Sequence, residues 1–132
     1  MSNTTYARPR PVLSFGAAMQ AMAEQTELTA LIAQNPGRCG LYRELCRIAA
    51  DVYTRDGERP VVVDGETATF GYLQEIFGLI TAENMEDVAD RLAAYPREIR
   101  HKKAFMRTML YNSVFELETA TENRYAQRYA EQ

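Results

Sequence analysis

Residues 97–117 read REIRHKKAFMRTMLYNSVFEL, and the fold turns on how this stretch is read. It contains neither glycine nor proline. Met106, Met109, Leu110, Ser113, Val114 and Leu117 recur at the i, i+3, i+4, i+7 spacing of a helix that turns one face to a core. Its first half is cationic, with Arg97, Arg100, Lys102, Lys103 and Arg107 standing against Glu98 alone. The pattern predicts a helix over 97–117 that is apolar on one face and basic near its start. Arg100, Lys103 and Arg107 share a side of it at i, i+3, i+7. Core and function are expected to meet here.

Upstream, Tyr95-Pro96 ends a second amphipathic pattern over 82–94, whose inward face is Met85, Val88, Ala89 and Leu92. Thr81 is its expected N-cap, and Glu83, Glu86 and Asp87 suit the positive end of the helix. Phe70, Leu73, Phe77 and Ile80 predict a shorter helix, weakened by Gly71 and Gly78. Before it the period changes to that of strands. Arg59-Pro-Val-Val-Val and Glu66-Thr-Ala-Thr flank Asp64-Gly65, a pair that tolerates the positive φ of a two-residue turn, so a β-hairpin is expected around Pro60–Thr69. A lone hairpin is marginal and must pack on helices.

The strongest helical pattern is 41–55. Leu41, Tyr42, Leu45, Ile48, Ala49, Val52 and Tyr53 form its stripe, with Arg43, Glu44, Arg47 and Asp51 outward and Glu44–Arg47 and Arg47–Asp51 as surface pairs. Asn35-Pro36-Gly37 separates it from an earlier region. There Ser14 is an N-cap candidate, Phe15, Ala18, Met19 and Met22 face inward, and Thr26 is placed to cap a following turn set holding Leu28, Leu31 and Ile32. The periodicity leaves open whether this region is one helix or two. Residues 1–13, with Pro9 and Pro11, read as a flexible or extended arm, and residues 14–132 as one helical domain. The last fifteen residues are helix-compatible, with Tyr125 and Tyr129 beside Arg124 and Arg128, and Thr119 and Thr121 as a place to break.

A chain of 132 residues that is 46% hydrophobic and 25% charged is long enough for one core. A net charge of −3 argues against indiscriminate coating of nucleic acid, although a local basic patch is compatible with it. Cys39 and Cys46, on one helix, would lie about 10 Å apart, too far for a disulfide, and are expected as free thiols. With His101 the only histidine, zinc lacks ligands. No apolar h-region follows Arg8 and Arg10, and no window approaches a membrane span, so a cytoplasmic protein is expected.

No acid, base and nucleophile are grouped as catalysis requires, and no glycine-rich phosphate loop occurs, so an enzyme is not expected and no cofactor is implied. The acid run Glu83, Glu86, Asp87, Asp90 lacks the spacing of a calcium loop and reads as a solvated face. The basic run has three readings: a solvated helix face with snorkelling stems, contact with a nucleic-acid backbone, or contact with an acidic protein. Tyr111, Tyr125 and Tyr129 are candidates for stacking on unpaired bases, against the commoner use of such tyrosines in a core or an interface.

Two stretches together, LYRELCRIAADVYTRDGERPVVVDGE (41–66) and ITAENMEDVADRLAAYPREIRHKKAFMRTMLYN (80–112), resemble the C-terminal domain of RepA-N-type replication initiators of plasmids and conjugative elements. That domain is in turn similar to the helical domain of the primosome proteins DnaD and DnaB. The resemblance rests most on Ile99-Arg100, Phe105 and Leu110-Tyr111-Asn112, and on a hairpin after a YRE-type helix. His101 stands where the family has Asn, and Ser113-Val114-Phe115 replaces an Ala-Pro break. About forty residues precede the match, too few for the winged-helix origin-binding domain of such initiators, so origin recognition is not implied.

The resemblance implies a mainly α, compact DnaD-like domain of about five or six helices with one hairpin. It also implies an accessory module of mobile-element DNA replication, without enzymatic activity. Its partners would be a replication protein of host or element and, weakly and salt-sensitively, DNA. Homo-oligomerisation is compatible with it, and no membrane is involved. Arg97, Arg100, Lys102, Lys103, Arg107, Tyr111 and Asn112 are the expected binding residues. The alternative is a protein-only adaptor or inhibitor encoded by a mobile element, for which the basic run is incidental.

Overall fold

The computed structural model describes residues 11–130, with side chains through Leu117. Residues 1–10 of the arm expected over 1–13 and the side chains of Arg124, Tyr125, Arg128 and Tyr129 lie outside the described residues; of the rest of that arm, Leu13 is fastened to the body, its N–H donating to the Tyr53 carbonyl at 3.1 Å. Among the described residues six α-helices and one antiparallel hairpin form a mainly helical, compact fold, as the patterns predict. In chain order these are α1 (Phe15–Gln25), α2 (Leu28–Gln34), α3 (Cys39–Asp51), β1 (Pro60–Val63), β2 (Glu66–Thr69), α4 (Phe70–Phe77), α5 (Ala82–Ala93) and α6 (Lys102–Ala130). Short 3-10 turns at Pro36–Arg38 and Val52–Thr54 flank α3.

Helix α3 is central and packs on α1, α2, α5 and α6. Its stripe, with Leu45, Cys46, Ala49 and Ala50 fully buried, meets Met22 and Leu31 on one side and Val88, Met106 and Leu110 on the other within one core. The first helical region is two helices. Glu27 takes a left-handed conformation (φ 55°) that α-helix cannot continue. Thr26 does not cap the second helix but ends the first, its hydroxyl donating to the Met22 carbonyl at 2.8 Å. Phe15, expected inward, is 46% exposed, because the first turn of α1 overhangs a cleft rather than the core.

The hairpin has the expected register, Val63 opposite Glu66 and Pro60 opposite Thr69. Asp64 and Gly65 hold φ of 53° and 79° in its turn. Thr69 then caps α4 by accepting from the Tyr72 N–H at 3.2 Å. Gly71, which looked like a weakness in that helix, lets the 55–59 loop come close. Its N–H donates to the Gly57 carbonyl at 2.9 Å, and a side chain there would meet that oxygen at 3.0 Å. Thr81 and Asn84 form a reciprocal capping box at the start of α5.

Two expectations about α6 are corrected. The helix begins at Lys102, and residues 97–101 are non-helical. The rings of Tyr95 and Phe105 meet at a tilt of 58° with centroids 5.0 Å apart, whereas ten residues of unbroken helix would part them by about 15 Å, so the chain doubles back between them. At the other end α6 runs through Thr119 and Thr121 without a break to Ala130. The helix penalty of a threonine, a few tenths of a kcal/mol, is too small to stop it. The apolar face is as expected: Met106, Leu110, Ser113 and Val114 are buried.

Candidate anion-binding face

The acids on the outer face of α3 do not pair along their own helix with Arg47, as their spacing suggested. They reach across to the first turn of α6. Glu44 holds Lys102 at 3.1 Å and Asp51 holds Lys103 at 2.9 Å. Asp51 also meets Arg55 at 3.4 Å, one turn on. Between α1, α3 and α6 lies an open cleft of about 420 Å³ lined by Phe15, Glu44, Arg47, Ile48, Asp51, Lys102 and Lys103. Arg107, one turn beyond Lys103, is half-buried beside the same carboxylate. Among the described residues, the Nε atoms of Arg55 and Arg107 are buried without a hydrogen-bond partner. The face thus gathers Arg47, Arg55, Lys102, Lys103 and Arg107 around Glu44 and Asp51, five cations to two anions.

The electrostatics follow from this crowding. Burial lowers the Arg107 pKa, Asp51 works to raise it, and Arg55 adds to the lowering. For Asp51, burial works to raise the carboxyl pKa, but Lys103 and Arg55 outweigh it and hold the group below its ordinary value. A depressed carboxyl pKa stabilises the fold above the unfolded value of about 3.9, and that contribution fades as pH falls through the lower folded value. Asp51→Asn is therefore expected to lose about 1 kcal/mol at pH 7, as for a partly solvated pair. Urea unfolding of both proteins at pH 7 and at progressively lower pH tests this, since the difference should shrink as the Asp51 carboxylate protonates; a gap that does not shrink removes the ion pairs as its cause.

The seven residues singled out in the sequence divide among three places. Lys102, Lys103 and Arg107 belong to the face just described. Arg97 and Arg100 sit on the non-helical segment, so Arg100 does not continue a stripe with Lys103 and Arg107. Arg100 instead lines a second groove of about 540 Å³ between the hairpin and α6, with Val62, Tyr95, Ile99, His101 and Phe105. Tyr111 and the half-buried Asn112 lie farther along α6. The Tyr111 hydroxyl is 3.1 Å from that of Tyr72, and its ring meets Phe115 at 5.1 Å. The Tyr72 hydrogen bond, burial and the acids Glu66 and Asp64 push the Tyr111 pKa up to about 12, so it is a neutral phenol at physiological pH.

Arg47, Arg55, Glu44 and Asp51 escaped the sequence reading as site residues. Their signal was present in the outward charges of α3, but only the packing of α3 on α6 reveals what they face. Asn84 and Ser113 were also missed as a pair: the Asn84 amide donates to the Ser113 hydroxyl at 3.0 Å inside the α5–α6 interface. Cys39 and Cys46 are free thiols. Burial, partly offset by Thr26, raises the Cys46 pKa to about 11, which makes it a poor nucleophile. Among the described residues no group of His, Cys, Asp and Glu is placed to hold a metal ion, and no helix is long and apolar enough to cross a membrane. No protein-family model matches the chain, and no curated protein or solved structure matches it either.

Proposed function

We propose that this chain is a non-enzymatic accessory module of mobile-element DNA replication that contacts a nucleic-acid backbone through the α3–α6 face. The observation that supports the contact is the excess of cations on this face: Arg47, Lys102 and Lys103 line the cleft with Glu44 and Asp51, and Arg55 and Arg107 lie beside Asp51. The replication setting rests on the sequence resemblance alone. In a chain of net charge −3, such an excess is a local feature that orients a polyanion rather than a general attraction. Glu44 and Asp51 hold the lysine ammonium groups in place, so phosphates meet positioned charges with less side-chain entropy left to lose.

Fluorescence anisotropy of labelled single-stranded and duplex DNA at two salt concentrations tests the reading. Wild type is compared with the triple variant Arg47→Ala, Lys102→Ala, Lys103→Ala. Phosphate contact predicts affinity that falls steeply with salt. It also predicts a dependence shallower by roughly 2.7 in the log–log slope when three contacts are lost, at about 0.9 each on duplex. Binding that is insensitive to the triple variant moves the contact elsewhere. No binding at either salt overturns the DNA reading and leaves the face to an acidic protein partner, the adaptor alternative.

A further inference from the structure

We propose that Tyr72, Tyr111 and Phe115, with Asp64 and Glu66 beside them, form a docking surface for an arginine-bearing segment of a partner protein. The rings come from two elements, Tyr72 from the first turn of α4 and the others from successive turns of α6. They make one run: the centroids of Tyr72 and Tyr111 are 6.2 Å apart, and those of Tyr111 and Phe115 5.1 Å. Tyr72 and Phe115 are 41% and 38% exposed, so the run opens to solvent at both ends. The 3.1 Å contact between the Tyr72 and Tyr111 hydroxyls fixes those two rings against each other before a partner arrives. Tyr111 and Phe115 lie eight and twelve residues past Lys103, about 12 and 18 Å along α6. The surface is therefore separate from the cationic cleft.

Charge selects the occupant. The hairpin turn reaches this part of α6, the Asp64 N–H donating to the Thr108 hydroxyl at 3.3 Å, one turn before Tyr111. Asp64 and Glu66 are exposed, and both act on the Tyr111 hydroxyl, adding to the rise in its pKa. Among the described residues neither carboxylate is in an ion pair, whereas Glu44, Asp51, Asp87, Asp90 and Glu116 each hold a basic side chain. Arg107, one turn before Tyr111, lies beside Asp51 instead. Acids next to the rings repel the phosphates that a stacking nucleic-acid base would bring, and they attract a cation. Arginine suits the place better than lysine. Its planar guanidinium stacks on aromatic faces and meets a carboxylate through two N–H groups, where an ammonium is compact and strongly hydrated. Tyrosine and arginine are also among the side chains that dominate the binding energy of protein interfaces.

The test is the anisotropy of a labelled Gly-Arg repeat peptide and its Gly-Lys counterpart, each titrated with the full-length protein. Wild type is compared with Tyr72→Leu/Phe115→Leu, with Asp64→Asn/Glu66→Gln and, as a control for overall charge, with Glu83→Gln/Glu86→Gln on α5. The arginine peptide is expected to bind several-fold tighter than the lysine peptide. The leucine pair is expected to weaken it by about 5- to 30-fold, the scale of two exposed cation–π contacts. The Asp64→Asn/Glu66→Gln pair should weaken both peptides, and the α5 pair neither. Circular dichroism checks that each variant is folded. The carboxamide pair keeps the test decisive should the leucine pair not fold, because both its positions are exposed and Asn tolerates the left-handed backbone of Asp64. Equal binding of the two peptides, no binding, a folded leucine pair without effect, or an α5 pair as weak as the carboxamide pair overturns the surface. Binding lost in the leucine pair but kept in the carboxamide pair overturns the arginine assignment and leaves an apolar segment as the occupant.

Discussion

Phe77→Ala is expected to lower the unfolding free energy by about 3–5 kcal/mol, the range for removing a large aromatic from a closed core. Phe77 is the largest of the fully buried side chains, at 0% exposure. Its helix α4 contributes Phe70 and Leu73 to the same cluster. At its carbonyl the chain is already committed: the Gln25 side-chain amide donates to the Phe77 and Ile80 oxygens at 3.0 and 2.8 Å, so the surroundings have little freedom to collapse into the void. Urea unfolding followed by circular dichroism gives the value. Phe115→Ala, at a ring 38% exposed, serves as the comparison and should lose under about 1 kcal/mol. Equal losses at the two sites would refute the placement of the core.

Gln74→Leu is expected to cost about 2–4 kcal/mol although it preserves size and adds apolar character. Gln74 is buried, and its amide donates to the Val52 and Arg55 carbonyls, both at 3.1 Å. Those oxygens belong to the turn that ends α3, whose own carbonyls have no helical partner there. Leucine would remove the donor from a buried carbonyl at Val52 and a part-buried one at Arg55, at about 1–3 kcal/mol for each unmade bond. Gln74→Glu is a sharper variant, since it removes the donors and adds charge, and it should be worse at pH 7 than in mild acid. Unfolding midpoints for both variants measure the effect. A leucine variant as stable as wild type would mean that water replaces the amide.

These two residues also mark what could be read from sequence. Phe77 stood out because Phe70, Leu73, Phe77 and Ile80 repeat at helical spacing, and all four are buried. Asp64-Gly65 and Thr81 were equally readable, since turn and cap chemistry is local. Gln74 was invisible: its value lies in two carbonyls about twenty residues away. The helix expected over 97–117 failed at its start for the same reason, because the tilted Tyr95–Phe105 ring contact is a tertiary contact that no periodicity records. At the candidate site the cations of α6 were evident in a run, while the acids that hold them belong to α3. A charge run reports which groups are present; only packing reports what they oppose.

Helix α6 spans 29 residues, about 43 Å at 1.5 Å per residue, and among its described side chains Met106, Leu110 and Val114 fasten it into the body. Its beginning carries Lys102 and Lys103, so the backbone runs as a single unbroken rod from the charged cleft to Ala130. Such a rod behaves as a lever. Over that length a tilt of a few degrees about the first turn corresponds to a few ångströms at the last, so the direction of the far end is tied to how the first turns pack on α3.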